Sequence, residues 1–209
     1  MGLTTPVLFG RSGSHYTRLV RIVAAEAGVD LPLTPIVNLG GLDPADYGGH
    51  PGLKMPTLHD GGERVFGALE ICRRVVAASP TGLTVGWPET LPPDLRNGWE
   101  LLGQAMQAQV QLVLGVSLGG LPADHPYVVK IRRGLEGVLA WLDDRLAELL
   151  AEEPAADLSL FQAALFCLLE HLRFRPTFQP AALPRLDGLR AAFASRASAQ
   201  ATPYRPASV

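Results

Sequence analysis

The spacing of apolar positions changes character near residue 80. Before that point, short apolar runs alternate with one-sided helical patterns. Pro6-Val-Leu-Phe9 is an apolar run stopped by Gly10-Arg-Ser-Gly13, and apolar residues then recur at Leu19, Val20, Val23, Ala24 and Ala27 ahead of Gly28. Spacings of three and four place these residues on one helical face, and a glycine commonly ends such a helix, so the pattern predicts a strand, a turn and a helix over 14–27. Residues 31–37 read as a second strand, which makes a parallel βαβ unit the economical arrangement. Pro56-Thr-Leu-His59 and Arg64-Val-Phe66 flank Asp60-Gly-Gly-Glu63, a glycine-containing hairpin turn. A helix is predicted from Ala68 through Leu69, Ile71, Cys72 and Val75, ending at Ser79-Pro80.

Prolines at 80, 88, 92 and 93 mark a break, and no strand-like alternation follows. Trp99, Leu102, Met106, Val110 and Val113 predict a helix over 94–116. Val129, Ile131, Leu135, Leu139, Leu142 and Leu146 predict another over 126–150, joined to the first by Gly119-Gly-Leu-Pro-Ala-Asp124. Ser159 with Gln162 three residues on is a capping-box pattern, and the body that follows, 160–172, is nearly all apolar and expected at the centre of its domain. A last helix is predicted over 183–194. The expected architecture is therefore an α/β domain of order βαβ-ββα over 1–80, a linker over 81–93 and an all-α domain over 94–209.

Composition narrows the chemistry. The chain has 209 residues, 47% of them apolar and 18% charged, with a net charge of −2. No basic cluster exceeds Lys130/Arg132/Arg133, so the electrostatic footprint of a nucleic-acid partner is missing. No apolar run approaches the roughly 20 residues of a membrane span. Cys72 and Cys167 form neither a CxxC pair nor a ligand spacing, and His15, His50, His59, His125 and His171 are scattered, so a metal site is not expected. The N-terminus has no charge before Arg11 and no long apolar segment, which together with two isolated cysteines gives a cytoplasmic expectation.

Four segments in order sharpen the picture. His50-Pro-Gly-Leu-Lys-Met-Pro-Thr-Leu58 resembles the Asn-Pro-x-Gly-Lys-Val-Pro-x-Leu segment of the glutathione transferase superfamily, in which the proline is cis. Ser159-Leu-Phe-Gln162 with Phe174-Arg175 is similar to that family's Thr-x-Ala-Asp box and the Arg ending the same helix. Leu183-Pro-Arg-Leu-Asp and Ser195-Arg-Ala-Ser-Ala-Gln-Ala-Thr202 are similar to its Tyr-Pro-x-Leu and Arg-Pro-Ser-x-x-Ala-Thr segments. The resemblance implies a thioredoxin-like first domain, an all-helical second domain, a homodimer, and glutathione as co-substrate for attack on a small apolar electrophile.

It also implies site residues. The family's Ser/Cys position falls on Ser14, with Ser12 as the alternative donor and Arg11 as a nearby charge. A hydroxyl at a helix N-terminus can donate to a thiolate where the helix end adds partial positive charge, and it can equally serve as a cap. Thr17 stands where a CxxC protein carries its second cysteine, so a protein disulfide cannot cycle here. Met55 and Pro56 are expected to offer backbone groups to the cysteinyl part of glutathione, and Lys54 to meet the glycyl carboxylate. The family's Glu-Ser pair for the γ-glutamyl end is replaced by Gly67-Ala68, leaving backbone amides of a helix start for that carboxylate. Trp99 and Met106 are the implied walls of the electrophile pocket. The Gly67-Ala68 departure keeps two alternatives open: a binding or scaffold protein without catalysis, and a member using a different thiol.

Overall fold

The computed structural model describes residues 3–206. They divide into two compact units, residues 3–85 with 195–206, and Gly86–Ala194. The return of residues 195 onward to the first unit is a feature that a boundary at 94–209 does not contain.

In the first unit, β1 (Val7–Gly10), α1 (His15–Glu26), β2 (Leu33–Pro35), β3 (Thr57–Asp60), β4 (Glu63–Phe66) and α2 (Ala68–Ala77) follow the predicted order, with a 3-10 turn at Pro44–Tyr47 between β2 and β3. The sheet runs β2-β1-β3-β4. β1 and β2 are parallel with Leu8 opposite Leu33, and β3 runs antiparallel to β1 with Leu58 opposite Leu8. β2 is shorter than the predicted 31–37. It is an edge strand bounded by Pro32 and carrying Pro35, which have no N–H to give a ladder. The β3–β4 hairpin closes at Gly61 and Gly62, with φ of 57° and 93°. Positive φ at both central residues is what a twisted two-residue hairpin turn requires, and glycine supplies it without steric cost.

Leu8, Val20, Ile22, Val23, Leu58, Ile71, Cys72 and Val75 are fully buried and form this unit's core. The chain then returns as α7 (Ala197–Ala201), anchored on α1. Arg196 donates from Nε and Nη2 to the two carboxylate oxygens of Glu26 at 2.8 and 3.0 Å, and the Ser198 hydroxyl donates to the first of them at 2.5 Å. The Arg196 hydrogen bonds hold the Glu26 carboxyl below its ordinary pKa.

The second unit is helical: α3 (Pro93–Leu112), a π-helical turn (Val113–Leu118), α4 (Pro126–Ala151), α5 (Leu160–Phe174) and α6 (Pro184–Ala194). α5 is its buried centre, as its apolar sequence predicts, with Ala163, Ala164, Leu165, Cys167 and Leu168 fully covered. Ser159 caps α5 by accepting the Gln162 N–H at 3.0 Å, and its own hydroxyl donates to Glu153. The Gln162 side chain departs from the capping-box expectation: its amide reaches Glu153 at 2.5 Å. Asp143, almost fully buried on α4, accepts the Leu186 N–H at 2.9 Å and so satisfies an amide in the first turn of α6. Among the described residues, no helix is long and apolar enough to cross a membrane, and no three His, Cys, Asp or Glu side chains converge as a metal site.

Candidate functional site

The junction between β1 and α1 is held by direct packing. A β-carbon at Gly10 would come within 2.5 Å of Thr17 Oγ1, so the end of the strand rests on the first turn of the helix with no room for a side chain. Thr17 is fully buried, and its Oγ1 accepts the Arg11 N–H at 3.4 Å. Ser14 is the N-cap of α1: its backbone is extended, with φ −105° and ψ 128°, and its Oγ accepts the Thr17 N–H at 3.3 Å. That contact occupies a lone pair and leaves the hydroxyl proton for another acceptor.

Ser12 differs. Its hydroxyl donates to the Arg205 carbonyl at 3.2 Å, so its proton is already committed to the returning C-terminal segment. Arg11 donates to the Val37 carbonyl at 3.1 Å, tying the turn to the end of β2. Farther along α1, Arg18 donates to the Ala199 carbonyl at 3.2 Å and lies over the Tyr204 ring at 4.4 Å. Burial first, and then the charges of Arg18 and Arg205, lower the Arg21 pKa, while burial raises that of Tyr16. α1 carries no acidic residue in its first turn. With Arg11 in the preceding turn and the partial positive charge of the helix end itself, the start of α1 is a setting that favours a thiolate over a thiol.

The second element is the 50–56 segment. His50 accepts the Gly52 N–H through Nδ1 at 3.0 Å, the contact an Asn side chain makes in an Asx turn. Its ring meets Phe66 edge-on at 4.7 Å. Leu53 has φ of 51°, an uncommon left-handed conformation for a branched side chain. Lys54 is exposed, Met55 half-buried and Pro56 buried, and the Met55-Pro56 bond is cis.

The third element is the start of α2. Gly67 occupies the N-cap with φ 84° and ψ 134°, and no side chain caps the helix. A β-carbon there would meet nothing within 4 Å, yet the backbone conformation is one that side-chain-bearing residues rarely adopt. The glycine therefore answers a conformational requirement in addition to removing a ligand side chain, and Gly67→Glu would strain the chain. On α3, Trp99 is half-buried and Met106 is buried at 3% exposure.

The chain as a whole is similar to known proteins. Residues 8–82 match the family described as glutathione S-transferase, N-terminal domain. A glutathione S-transferase from Methylobacillus flagellatus KT with glutathione bound is 25% identical, with a TM-score of 0.75 over 96% of this chain and 100% of its own. The first domain is thus similar to a glutathione S-transferase N-terminal domain, and the whole chain has the fold of solved glutathione S-transferases. A glutathione transferase family member from Pseudomonas fluorescens Pf-5, with glutathione bound, has the same fold at 22% identity and a TM-score of 0.73, covering 97% of this chain and 100% of its own. A theta class glutathione S-transferase from Xanthomonas axonopodis pv. citri does so at 20% identity and 0.71, covering 98% and 99%. Among curated proteins no sequence match is found. Sequence reading singled out Ser14, the Met55-Pro56 segment and Gly67-Ala68 as candidates, and it gave no sign of Arg18, Tyr204 and Arg205, which contact one another or the turn through the returning segment. Gly10 and Gly13 flank Ser12 in sequence, Gly13 directly precedes Ser14, and the two glycines were the available signal for a tight turn. No local pattern points to the returning segment.

Proposed function

We propose that this protein conjugates glutathione to a small apolar electrophile. Ser14 donates its hydroxyl proton to the glutathione sulfur, stabilising the thiolate. The sulfur attacks the electrophilic carbon, a C–S bond forms, the leaving group departs with its electron pair, and the thiol proton passes to solvent. Met55 and Pro56 hold the cysteinyl backbone, Lys54 meets the glycyl carboxylate, and the Ala68 and Leu69 amides at the start of α2 receive the γ-glutamyl carboxylate. Arg11 contributes positive charge beside the turn.

The observation that carries this reading is the state of Ser14: a helix cap whose oxygen is used as an acceptor at 3.3 Å and whose proton is not. Ser12, with its proton committed, is set aside as the donor. The start of α2 favours a second reading. With no side chain at 67 and only a methyl at 68, the protein would bind its thiol without turnover or would take a thiol with a different acidic end.

Titration calorimetry with glutathione, followed by a conjugation assay with chlorodinitrobenzene, separates the readings. Binding with turnover supports conjugation. Binding with no turnover across several electrophiles would establish the binding-protein reading, and no binding at millimolar glutathione would point to another thiol. The strain at Gly67 makes Ala68→Ser alone the clean gain-of-affinity variant. One restored hydrogen bond to a charged group should tighten glutathione about tenfold or more.

A homodimer in the cytoplasm completes the proposal. Sedimentation across a wide concentration range checks the dimer, and a single monomeric species would remove it.

A further inference from the structure

A cavity of about 420 Å³ opens in the first unit, on the sheet face opposite Leu8, within the roughly 300–1,000 Å³ usual for small-ligand sites. None of Ser14, Met55, Pro56 or Gly67 lines it. Phe9 forms its floor, and Pro44 and Ala45 of the 3-10 turn form a wall. Two glycines let the lining close up. A β-carbon at Gly48 would stand 2.7 Å from Phe9 Cγ, and one at Gly49 would stand 2.9 Å from the Arg64 guanidinium carbon. Both have positive φ, 64° and 78°.

The polar groups are few and oriented. His59 lies against Phe9 with ring centroids 4.4 Å apart, and its Nε2 meets the Gly48 carbonyl at 2.7 Å. A carbonyl can only accept, so Nε2 carries the proton and the ring is fixed in place. Arg64 sits at the rim. Among the described residues no carboxylate lines the cavity, and the neighbouring Glu63 turns instead to Arg74 at 3.2 Å. An apolar floor with an aromatic pair and one guanidinium at the edge suits a flat apolar body bearing a single anionic group.

We infer that this cavity is a second ligand site, separate from the candidate thiol site, that takes a small aromatic carboxylate. The carboxylate occupies the planar fork of Arg64, which matches its two oxygens, and the ring lies on Phe9 beside Pro44 and Ala45. The inference stands independently of the proposed conjugation chemistry.

The test is calorimetric titration of the full chain with naphthoate, with the neutral naphthalenemethanol as control. Naphthoate should bind saturably at one site per chain, and the neutral analogue about tenfold or more weaker, the loss expected for one charge-assisted contact. Arg64→Gln, a change at an exposed position, should bring naphthoate down to the level of the neutral analogue. Ala45→Trp should fill the cavity and abolish binding. Saturating glutathione should leave the naphthoate affinity unchanged, and the His59 ring resonances should move on titration. Absence of binding, equal binding by Arg64→Gln, or displacement by glutathione would each overturn the assignment. Should Ala45→Trp fail to fold, the Arg64→Gln titration decides alone.

Discussion

Ser14 and Ser159 begin two helices in different units with nearly the same geometry. Each has extended backbone, and each accepts the N–H three residues on, at 3.3 and 3.0 Å. They differ in the hydroxyl proton. Ser159 gives its proton to Glu153, which also receives the Gln162 amide, so every polar group there has a partner inside the protein. Ser14 has its acceptor role filled and its proton available. The same residue in the same local motif has both hydrogen-bonding roles filled in one unit and only its acceptor role filled in the other, which is what the proposed donor role of Ser14 requires. What separates a cap from a site residue is the accounting of its second hydrogen bond.

The largest expected effect breaks that comparison at Ser14. Ser14→Ala should lower kcat/KM for conjugation about ten- to hundredfold, the worth of one hydrogen bond to a charged group. Its stability should change by only about 1 kcal/mol. The pH–rate profile should move to higher pH as the bound thiol loses its stabilising donor. An unchanged profile would leave Ser14 as a cap alone, and Ser14→Thr should restore most of the activity. Ser159→Ala should do the reverse, costing about 1–2 kcal/mol in denaturant unfolding with no effect on the rate.

Ser12→Ala comes next. The serine's proton holds the Arg205 carbonyl, so the loss should be about 0.5–1.5 kcal/mol of stability, with activity nearly unchanged. A large loss of activity would transfer the donor role to Ser12.

The smallest effect concerns His50, where a ring nitrogen does what a hydroxyl does at the serine caps, and can titrate. Burial, and then the Lys54 charge, lower its pKa from the ordinary 6.5. A lowered folded value means that the neutral ring is the folded form. Its contribution to stability is therefore complete above pH 6.5 and is lost as the pH falls through the lower folded value. His50→Asn should keep the Gly52 contact and flatten this part of the stability–pH curve, measured as Tm in a series of buffers. An identical slope in the variant would place the titration elsewhere.

Much of the fold is legible in the chain because its determinants are local. A short apolar run marks β1, a glycine turn the hairpin and period-3.6 patterning α1 and α2, and the apolar body of α5 announces its burial. The shortening of β2 was also within reach, since Pro32 and Pro35 stand in its predicted span. The Ser14 cap is legible as a residue type at a helix start. That its proton is available while that of Ser12 is committed depends on Arg205, which lies far along the sequence and carries no periodic signal. The Gly67 conformation illustrates a different barrier. An absent side chain reads from sequence as a lost contact, while the positive φ that calls for glycine is a property of the backbone path between β4 and α2.

The clamp of Arg196 and Ser198 on Glu26 bears on the order in which the molecule can be completed during translation. Synthesis delivers Glu26 early and Arg196 only after the whole of Gly86–Ala194 has been made. A nascent chain that has emerged through α6 holds a finished set of residues for the second unit, while in the first Arg18 lacks the Ala199 carbonyl and Ser12 lacks that of Arg205. The N-terminal half is thus begun first and closed last, and the turn bearing Ser14 reaches its final surroundings only when the returning segment has left the ribosome.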